Sequence, residues 1–253
     1  MTAHLAHIRR HPIKSVGSEG LDRVALTAAR RLPGDREYAV LTEAGERHAR
    51  ASQTQNEPDR WLPKSCFVRG AVSPAVQAIA GGWQDGRLAL SHPTQPDLVF
   101  DPQTQQDRLI DWLRPLWPAR EPAVSRLVQG AAIWTDSKWP WISILSLSSL
   151  AALEADIGHG LGIHRWRGNL WIGGWTPFAE RDLIGQILHI GGVELRVTDR
   201  IGRCDAVSAD TDTGTRDLDM VATLQRLHGR TDFGIYAEIV TGGDIAVGDR
   251  IAA

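Results

Sequence analysis

The chain has 253 residues, of which 42% are hydrophobic and 23% are charged, a composition typical of a soluble globular protein of one large or two small domains. The 28 basic and 30 acidic residues nearly balance, so the overall charge gives no support for binding nucleic acid or an anionic membrane. Two cysteines, Cys66 and Cys204, exclude a disulfide scaffold, a four-cysteine zinc site and an iron–sulfur cluster.

The segments that targeting would require are missing from the sequence. The first 14 residues, MTAHLAHIRRHPIK, lack the apolar stretch of a signal peptide. The longest uncharged run near the middle, 139–153, has 15 residues and is rich in serine, so it is too short and too polar to span a bilayer. We therefore expect a cytoplasmic protein without a membrane segment.

Short strands and turns dominate the first third of the chain. Apolar runs or alternation predict strands at Arg23–Thr27, Glu37–Thr42 and Arg87–Ser91. The polar stretch 49–63 is predicted to be a loop, and Leu109, Trp112, Leu113 and Leu116 have helical spacing. Because Pro115 and Pro118 break that helix, we place a domain boundary near residue 120.

The remainder alternates between helices and strands. Helices are predicted at Ser148–Ile157, stopped by Gly158 and Gly160, and from Met220 to Leu227, stopped by Gly229. A hairpin is predicted at 187–197 around Gly191-Gly192, and 235–247 reads as strands. The pattern indicates a mostly β protein with added helices (α+β), divided into domains 1–120 and 121–253, with a barrel or sandwich architecture.

Three local patterns suggest binding sites but have simpler interpretations. Gly158-x-Gly160-x-Gly162 follows a helix, so a glycine-rich loop is favoured over a dinucleotide site. The segment from Asp210 to Val221 has a misplaced glycine and lacks the final glutamate of a calcium loop. His4, His7 and His11 have strand-like spacing, which would divide them between two faces, so a metal site is not favoured there.

Cys204 is the more promising cysteine. It follows Arg200 and Arg203, and cations near a thiol favour the thiolate, the form that binds metals and attacks electrophiles. An inert buried cysteine remains the alternative. Cys66 lies in an apolar, strand-like run and is predicted to be structural.

Several turn residues have the chemistry of a phosphate site. Lys14-Ser15 follows Pro12, Arg36 follows Pro33-Gly34-Asp35, and Arg167 precedes Gly168-Asn169. Arginine offers a bidentate fork, lysine a point charge and serine a hydroxyl. Each is individually also compatible with a solvated surface position.

Taken in order along the chain, six segments resemble one family. His11-Pro12-Ile13-Lys14-Ser15 and Leu32-Pro33-Gly34-Asp35-Arg36 resemble the N-terminal β-barrel domain that precedes MOSC domains. The MOSC domain itself is resembled by Arg167-Gly168-Asn169-Leu170, Pro177-Phe178-Ala179-Glu180, Arg203-Cys204 with Asp210-x-Asp212-Thr213-Gly214, and Phe233-Gly234-Ile235-Tyr236 with Gly248-Asp249. The resemblance covers nearly the whole chain and implies a MOSC β-barrel with an N-terminal β-barrel-like domain.

The resemblance also implies a cofactor and the residues that hold it. Proteins of this family that are similar to the mitochondrial amidoxime-reducing component carry molybdenum bound to molybdopterin, with the cysteine of the RC motif as a ligand of the metal. Carried over, Cys204 is the catalytic residue and the metal ligand, a soft donor that suits this centre. The implied cofactor-binding residues are Lys14, Ser15, Arg36, Ser137, Arg167, Asn169, Arg203 and Tyr236.

The implied activity is the two-electron reduction of N-hydroxylated compounds, namely hydroxylamines, amidoximes and N-hydroxylated bases. The partners would be a small-molecule substrate and an external electron-transfer protein of the ferredoxin, flavin or cytochrome type, because the chain lacks the cysteines for a fused cluster. The alternative is a carrier or binding module for the cofactor or for sulfur, independent of pyridoxal phosphate. A thiol hydrolase is a third interpretation, although no local signature for one surrounds Cys204.

Three further features lie near the predicted site. Relatives often have a second cysteine two residues before the RC cysteine, where this chain has Gly202 or Ile201. Asp205 adjoins the predicted ligand and is either a proton relay or a surface carboxylate. Trp166, Trp171 and Trp175 lie near the site segments and belong either to a substrate pocket or to the core.

Overall fold

A computed structural model describes residues 2–52, 62–130 and 136–252. The strands are β1 (His4–Arg10), β2 (Glu19–Leu21), β3 (Arg23–Leu26), β4 (Tyr38–Thr42), β5 (Ala80–Gln84), β6 (Arg87–His92), β7 (Gln95–Phe100), β8 (Val124–Gln129), β9 (Ile142–Ser146), β10 (Leu170–Gly173), β11 (Ile187–Ile190), β12 (Val193–Gly202), β13 (Asp232–Thr241), β14 (Gly243–Ala246) and β15 (Ile251–Ala252). The α-helices are α1 (Glu43–Ser52), α2 (Gln106–Leu113), α3 (Leu147–Ile157) and α4 (Met220–His228). The predicted α+β class is confirmed.

The largest element is an eight-stranded sheet in the order β15-β11-β12-β13-β9-β10-β1-β2. Its pairs are antiparallel apart from the parallel pair of β9 and β10. The Leu5 amide donates to the Asp249 carbonyl at 2.8 Å, and the Gly248 amide donates to the Leu5 carbonyl at 2.8 Å. These bonds join β1 to the chain next to β15 and close the sheet into a barrel, whose interior is filled by aliphatic side chains such as Ile144, Leu195 and Ile235.

A second hydrophobic core lies outside the barrel. Strands β5, β6 and β7 form an antiparallel meander, and β4 pairs with β8. Helix α2 contributes Leu109 and Leu113, which are buried against Phe100, Val40 and Val76. The helical spacing read from the sequence is therefore the face that α2 buries.

The two cores do not divide the chain at one point. Strands β1 and β2 belong to the eight-stranded sheet, whose other strands all come after residue 140, whereas β8 pairs with β4 of the other core. The segment from residue 11 to residue 36 connects the two cores. The division into domains 1–120 and 121–253 stays a prediction.

Most sequence-based elements are confirmed. Strands occur at β3, β4 and β6, and the 187–197 hairpin is β11 and β12. Helix α3 begins with a side-chain cap from Ser146 and ends at Gly158, which adopts a left-handed conformation with φ 73°. Helix α4 ends at Gly229 in the same way. In the described part of the chain no helix has the length and apolarity that crossing a membrane demands.

Two local predictions are wrong. The loop predicted at 49–63 begins instead with the last turn of α1, and residues 53–61 lie outside the described residues. Helix α1 is polar and has no large apolar residue, and Glu43 and Glu46 in its first turn favour it. Cys66 lies in a short 3₁₀ helix, Lys64–Cys66, rather than in a strand.

Candidate active site

One cavity of about 510 Å³ brings together all nine residues that the sequence singled out. They are Lys14, Ser15, Arg36, Ser137, Arg167, Asn169, Arg203, Cys204 and Tyr236. Lys14, Ser15 and Arg36 come from the segment that connects the two cores, and the others come from the barrel and the loops that lead into it. The cavity thus lies where the two cores meet.

Three of these residues have a backbone conformation that is uncommon outside glycine. Ser15 has φ 64°, and Arg36 and Arg167 each have φ 49°. Such left-handed positions cost free energy and cluster at functional sites, where the surrounding structure holds them in place. In this case they turn a hydroxyl and two guanidinium groups toward the same cavity.

Gly168 holds Arg167 and Asn169 close to the barrel wall. A Cβ atom at this position would lie 2.3 Å from Leu145 Cδ1, which is closer than atoms can approach. Only a glycine therefore fits between the short helix that ends in Trp166 and strand β10. The Arg-Gly-Asn segment of the sequence is explained by this contact.

Asn169 positions the site rather than offering its amide to a ligand. Its side-chain oxygen accepts hydrogen bonds from Ser143 N at 3.2 Å and Ser143 Oγ at 2.8 Å. Its Nδ2 donates to the Arg9 carbonyl at 3.2 Å. The side chain thereby links β1, β9 and β10 at the edge of the cavity.

Lys14 is a buried cation with a carboxylate partner. The residue is 5% exposed, and its Nζ donates to Asp136 Oδ1 at 2.5 Å. Burial lowers the pKa of Lys14, and Asp136 partly restores it. Since the Asp136 side chain is half-exposed, an incoming anion can reach the lysine by displacing the carboxylate.

A buried triad orients Arg36. Asp35 Oδ1 accepts from the His11 backbone amide at 2.8 Å and from His11 Nδ1 at 3.3 Å, and Asp35 Oδ2 pairs with Arg36. Burial opposes ionisation of Asp35, but Arg36 and His11 outweigh it and hold the carboxyl pKa well below its usual range. Arg36 Nη2 also donates to the Arg167 carbonyl at 2.9 Å.

Arg167 completes a cluster of buried positive charge. Its Nη1 donates to the Gly17 carbonyl at 3.1 Å, and its Nη2 donates to the Ile13 carbonyl at 3.3 Å. Burial and the neighbouring Arg36 lower the pKa of Arg167 to about 9. Cations destabilised by burial and by one another are stabilised by an anionic ligand.

The whole cavity is strongly cationic. Seven lining residues are basic (Lys14, Arg36, Lys64, Lys138, Arg165, Arg167 and Arg203), and two are acidic (Asp136 and Asp199). Three of the basic groups pair with carboxylates: Arg165 with Asp217, at 2.8 and 2.6 Å, Lys14 with Asp136, and Arg36 with Asp35. The remaining excess of positive charge is the electrostatic character of a phosphate site.

Cys204 lies in the cavity wall directly after β12 and is partly exposed. Arg203, beside it, donates from Nε to the Phe233 carbonyl at 2.8 Å and from Nη1 to the Trp166 carbonyl at 2.9 Å. Burial lowers the pKa of Arg203 to about 10, although Tyr236 and Cys204 act in the opposite direction. Arg203 therefore fixes the backbone around the thiol and places a positive charge next to it.

The alternation of β9 and β13 places aromatic groups in the cavity. Tyr236 pairs with Ser143 across these strands, and both line the cavity, as does Trp141 two residues before Ser143. The intervening Ile142 and Ala237 point into the barrel core. Burial raises the pKa of Tyr236, so its hydroxyl keeps its proton at neutral pH.

Sequence reasoning missed Asp136, Trp139 and Trp141 as parts of the site. It considered Trp166, Trp171 and Trp175 instead. Trp166 does line the cavity, but Trp171 is completely buried and Trp175 packs against the barrel core. The signal that could have identified Trp141 is its position directly before β9, because an aromatic group that flanks a buried strand can point away from the core.

The remaining candidates lie outside the cavity. The Asp205 side chain is 62% exposed, and its Oδ2 lies 3.7 Å from Arg216 Nη1. These observations favour the interpretation of Asp205 as a surface carboxylate. Asp210 Oδ1 accepts from the backbone amides of Asp212 and Thr213 and so closes a turn. Of the three N-terminal histidines, His4 and His7 are exposed on β1, whereas His11 is buried against Asp35.

Comparison with known families agrees with this architecture. Residues 2–118 match the MOSC N-terminal beta barrel domain and residues 140–252 match the MOSC domain. The fold and the site define a MOSC-domain protein with its associated N-terminal barrel. The chain belongs to the MOSC family.

Individual relatives are more distant. Molybdenum cofactor sulfurase of Drosophila melanogaster is 33% identical over 94 residues, and that of Danio rerio over 75 residues. These alignments cover 37% and 29% of this chain but only 12% and 9% of those proteins, so the chain spans a small part of the curated relatives it matches. The YUAD protein from Bacillus subtilis has a TM-score of 0.50 at 14% identity, over 99% of this chain and 94% of that one, which shows a shared fold.

Proposed function

We propose that the cavity binds the molybdenum cofactor and that the protein reduces N-hydroxylated compounds with electrons from a separate donor protein. The observation that carries this proposal is the convergence of a partly exposed thiol, Cys204, and a buried cation cluster in one cavity. Membership of the MOSC family and the similarity to molybdenum cofactor sulfurases support a role connected with this cofactor.

The residues present fit such a group. A molybdopterin has a phosphate at one end and a metal held by soft sulfur donors. Lys14, Arg36 and Arg167 supply excess positive charge at one part of the cavity, and Cys204 supplies one soft sulfur ligand at another. Ser15 adds a hydroxyl in a left-handed turn that follows Lys14.

The chain's own residues would then have distinct tasks. Lys14, Arg36 and Arg167 bind the phosphate, and Cys204 Sγ ligates the metal. Arg203 anchors the segment that carries the thiol to the carbonyls of Phe233 and Trp166, and Tyr236 Oη offers a proton to a ligand in the cavity. When bound, the molybdenum centre supplies the two-electron reduction that this fold lacks on its own.

The overall reaction is balanced by one external reductant. The N–O bond of the N-hydroxy group breaks, two electrons arrive from the donor protein, two protons are taken up, and the oxygen leaves as water. An amidoxime thereby becomes an amidine.

A carrier of the cofactor or of sulfur is the second candidate. It is favoured by the similarity to molybdenum cofactor sulfurases and by the partial exposure of Cys204. A carrier would need the same cation cluster and the same thiol but no substrate turnover. The two candidates therefore differ in activity rather than in metal content.

The test compares wild type, Cys204→Ala and, as a matched control, Cys66→Ala, all expressed in cells that make the cofactor. We expect near-stoichiometric molybdenum in wild type and a sulfur ligand that X-ray absorption loses in Cys204→Ala. Reductase activity with a chemical reductant should fall in Cys204→Ala by more than the roughly 10–100-fold that loss of an outer ligand contact costs. Cys66 is buried away from the cavity, so its variant should keep the metal and the activity.

Two results would count against the proposal. Wild type without molybdenum or pterin would contradict cofactor binding. Wild type that holds both but reduces neither hydroxylamine nor amidoximes would contradict the reductase and favour the carrier.

A further inference from the structure

Three aromatic rings form a continuous wall on one side of the cavity, which we call the aromatic wall (Trp139, Trp141 and Tyr236). The ring centroids of Trp139 and Trp141 lie 6.0 Å apart with an interplanar angle of 23°. Those of Trp141 and Tyr236 also lie 6.0 Å apart, with an angle of 41°. All three residues line the cavity.

The aromatic wall runs from solvent toward the thiol. Trp139 is 50% exposed, whereas Tyr236 is close enough to Arg203 and Cys204 for their charges to influence its hydroxyl. Trp141 lies between the two rings. A molecule that enters from solvent therefore meets Trp139 before it reaches Cys204.

The anchor for a resident phosphate lies among buried groups instead. Lys14 is 5% exposed, and its neighbours Arg36 and Arg167 are held by Asp35, Gly17 and Ile13. A ligand held permanently by these cations and by Cys204 has no need of a half-exposed tryptophan at the entrance. The exposed end of the aromatic wall is thus available to a ligand that exchanges with solvent, such as a substrate.

The charges around the aromatic wall restrict what that ligand can be. Lys138 Nζ lies 5.0 Å from the centroid of the Trp139 ring and so places a positive charge beside the aromatic wall. A cationic ligand would be repelled by this field. A planar, uncharged aromatic ring gains offset or edge-to-face contacts with the wall at no such cost.

We infer that the aromatic wall selects the substrate: Trp139 and Trp141 hold the ring of an uncharged, planar aromatic N-hydroxy compound and direct its N–OH group toward Cys204. This inference rests on the proposed function and adds a substrate class to it. Aliphatic N-hydroxy compounds reach the same centre without this contact and are poorer substrates.

The test uses two uncharged amidoximes that share the reacting group, benzamidoxime and acetamidoxime. In Trp139→Ala holoenzyme, the ratio of kcat/KM for benzamidoxime to that for acetamidoxime should fall about tenfold, the size of one aromatic contact. Trp139→Phe keeps a ring and should restore most of the ratio. Val247→Ala, at an exposed position outside the cavity, should leave the ratio unaltered.

Calorimetric binding of both amidoximes to the same proteins separates this inference from the proposed function. If wild type reduces neither compound yet binds benzamidoxime about tenfold more tightly, and Trp139→Ala loses that preference, the reductase fails and the aromatic wall stands. An unchanged preference in Trp139→Ala, or a wild type that binds neither compound selectively, overturns the inference. A fall in the molybdenum and pterin content of Trp139→Ala also overturns it, because the wall would then hold the cofactor.

Discussion

The pairing of Lys14 with Asp136 shows how a single carboxylate can control a ligand site. Lys14 is nearly inaccessible, so it needs a partner inside the protein. Asp136 provides one at 2.5 Å while remaining half-exposed. A phosphate that binds Lys14 must therefore displace Asp136 and overcome its negative charge.

At this scale we predict that Asp136→Asn strengthens binding of inorganic phosphate to protein made without the cofactor. The amide has the same shape but lacks the competing charge, and the gain should be roughly tenfold. Isothermal titration calorimetry at pH 7 measures it. Asp199→Asn is the matched control, because Asp199 lines the cavity but contacts its own neighbour Arg200; weaker phosphate binding by Asp136→Asn would contradict the competition.

Among the elements, the junction between the short helix 164–166 and β10 sets the position of Arg167. Gly168 lies against Leu145 of β9, so the junction approaches β9 more closely than a side chain at position 168 would permit. The junction thus ties the orientation of a cavity arginine to the packing of the barrel wall.

Gly168→Ala should lower the free energy of unfolding by about 1–3 kcal/mol, because the new methyl group overpacks against Leu145. Phosphate binding should weaken as well, since Arg167 and Asn169 shift with the backbone. Denaturant unfolding and calorimetry measure the two effects. In Gly160→Ala the methyl group would meet open space, and a loss of stability as large in that variant would show that the cost does not come from this contact.

For the whole molecule, acid should be destabilising. His11 is buried, and burial together with Arg167 and Arg36 lowers its pKa well below 6.5. Below pH 6.5 the unfolded chain therefore binds a proton that the folded protein does not bind, and the free energy of unfolding falls as the pH falls. Asp35 acts in the same direction at lower pH, because its folded pKa is depressed and its contribution is lost on protonation.

We predict that His11→Gln flattens the dependence of unfolding free energy on pH between about 5 and 6.5. One proton corresponds to a slope of about 1.4 kcal/mol per pH unit, which is the largest change the variant can produce. Some slope will remain, because burial also lowers the pKa of His7, His92, His164 and His228. Urea titrations over this range measure it, with the exposed His189→Gln as the control; identical slopes in wild type and His11→Gln would contradict the prediction.

The sequence predicted those elements whose residues follow a local rule. The hairpin of β11 and β12 has apolar runs around two glycines, and α3 has a cap and a stop, so neighbouring residues specify both. Helix α1 was missed because it has no large apolar residue to mark the face that it buries. Motif resemblance located the cavity residues one by one, but only the fold shows that they meet.

What could not be predicted depends on contacts between distant segments. Lys14 and Asp136 are 122 residues apart in the sequence and meet only in the fold. Trp141 and Tyr236 become neighbours through the register of β9 and β13. Neither relation leaves a periodic pattern in the sequence, so composition and spacing carry no sign of them.

The closure of the barrel has a consequence for synthesis on the ribosome. Leu5 bonds to Gly248 and Asp249, so it waits for partners that follow it in translation by more than 240 residues. Until then the barrel-facing side of β1 has no interior to enter, although the meander of β5, β6 and β7 is already complete. Such pairing between distant residues slows folding. It also leaves the apolar side of β1 exposed in the nascent chain, where we expect a chaperone to bind it.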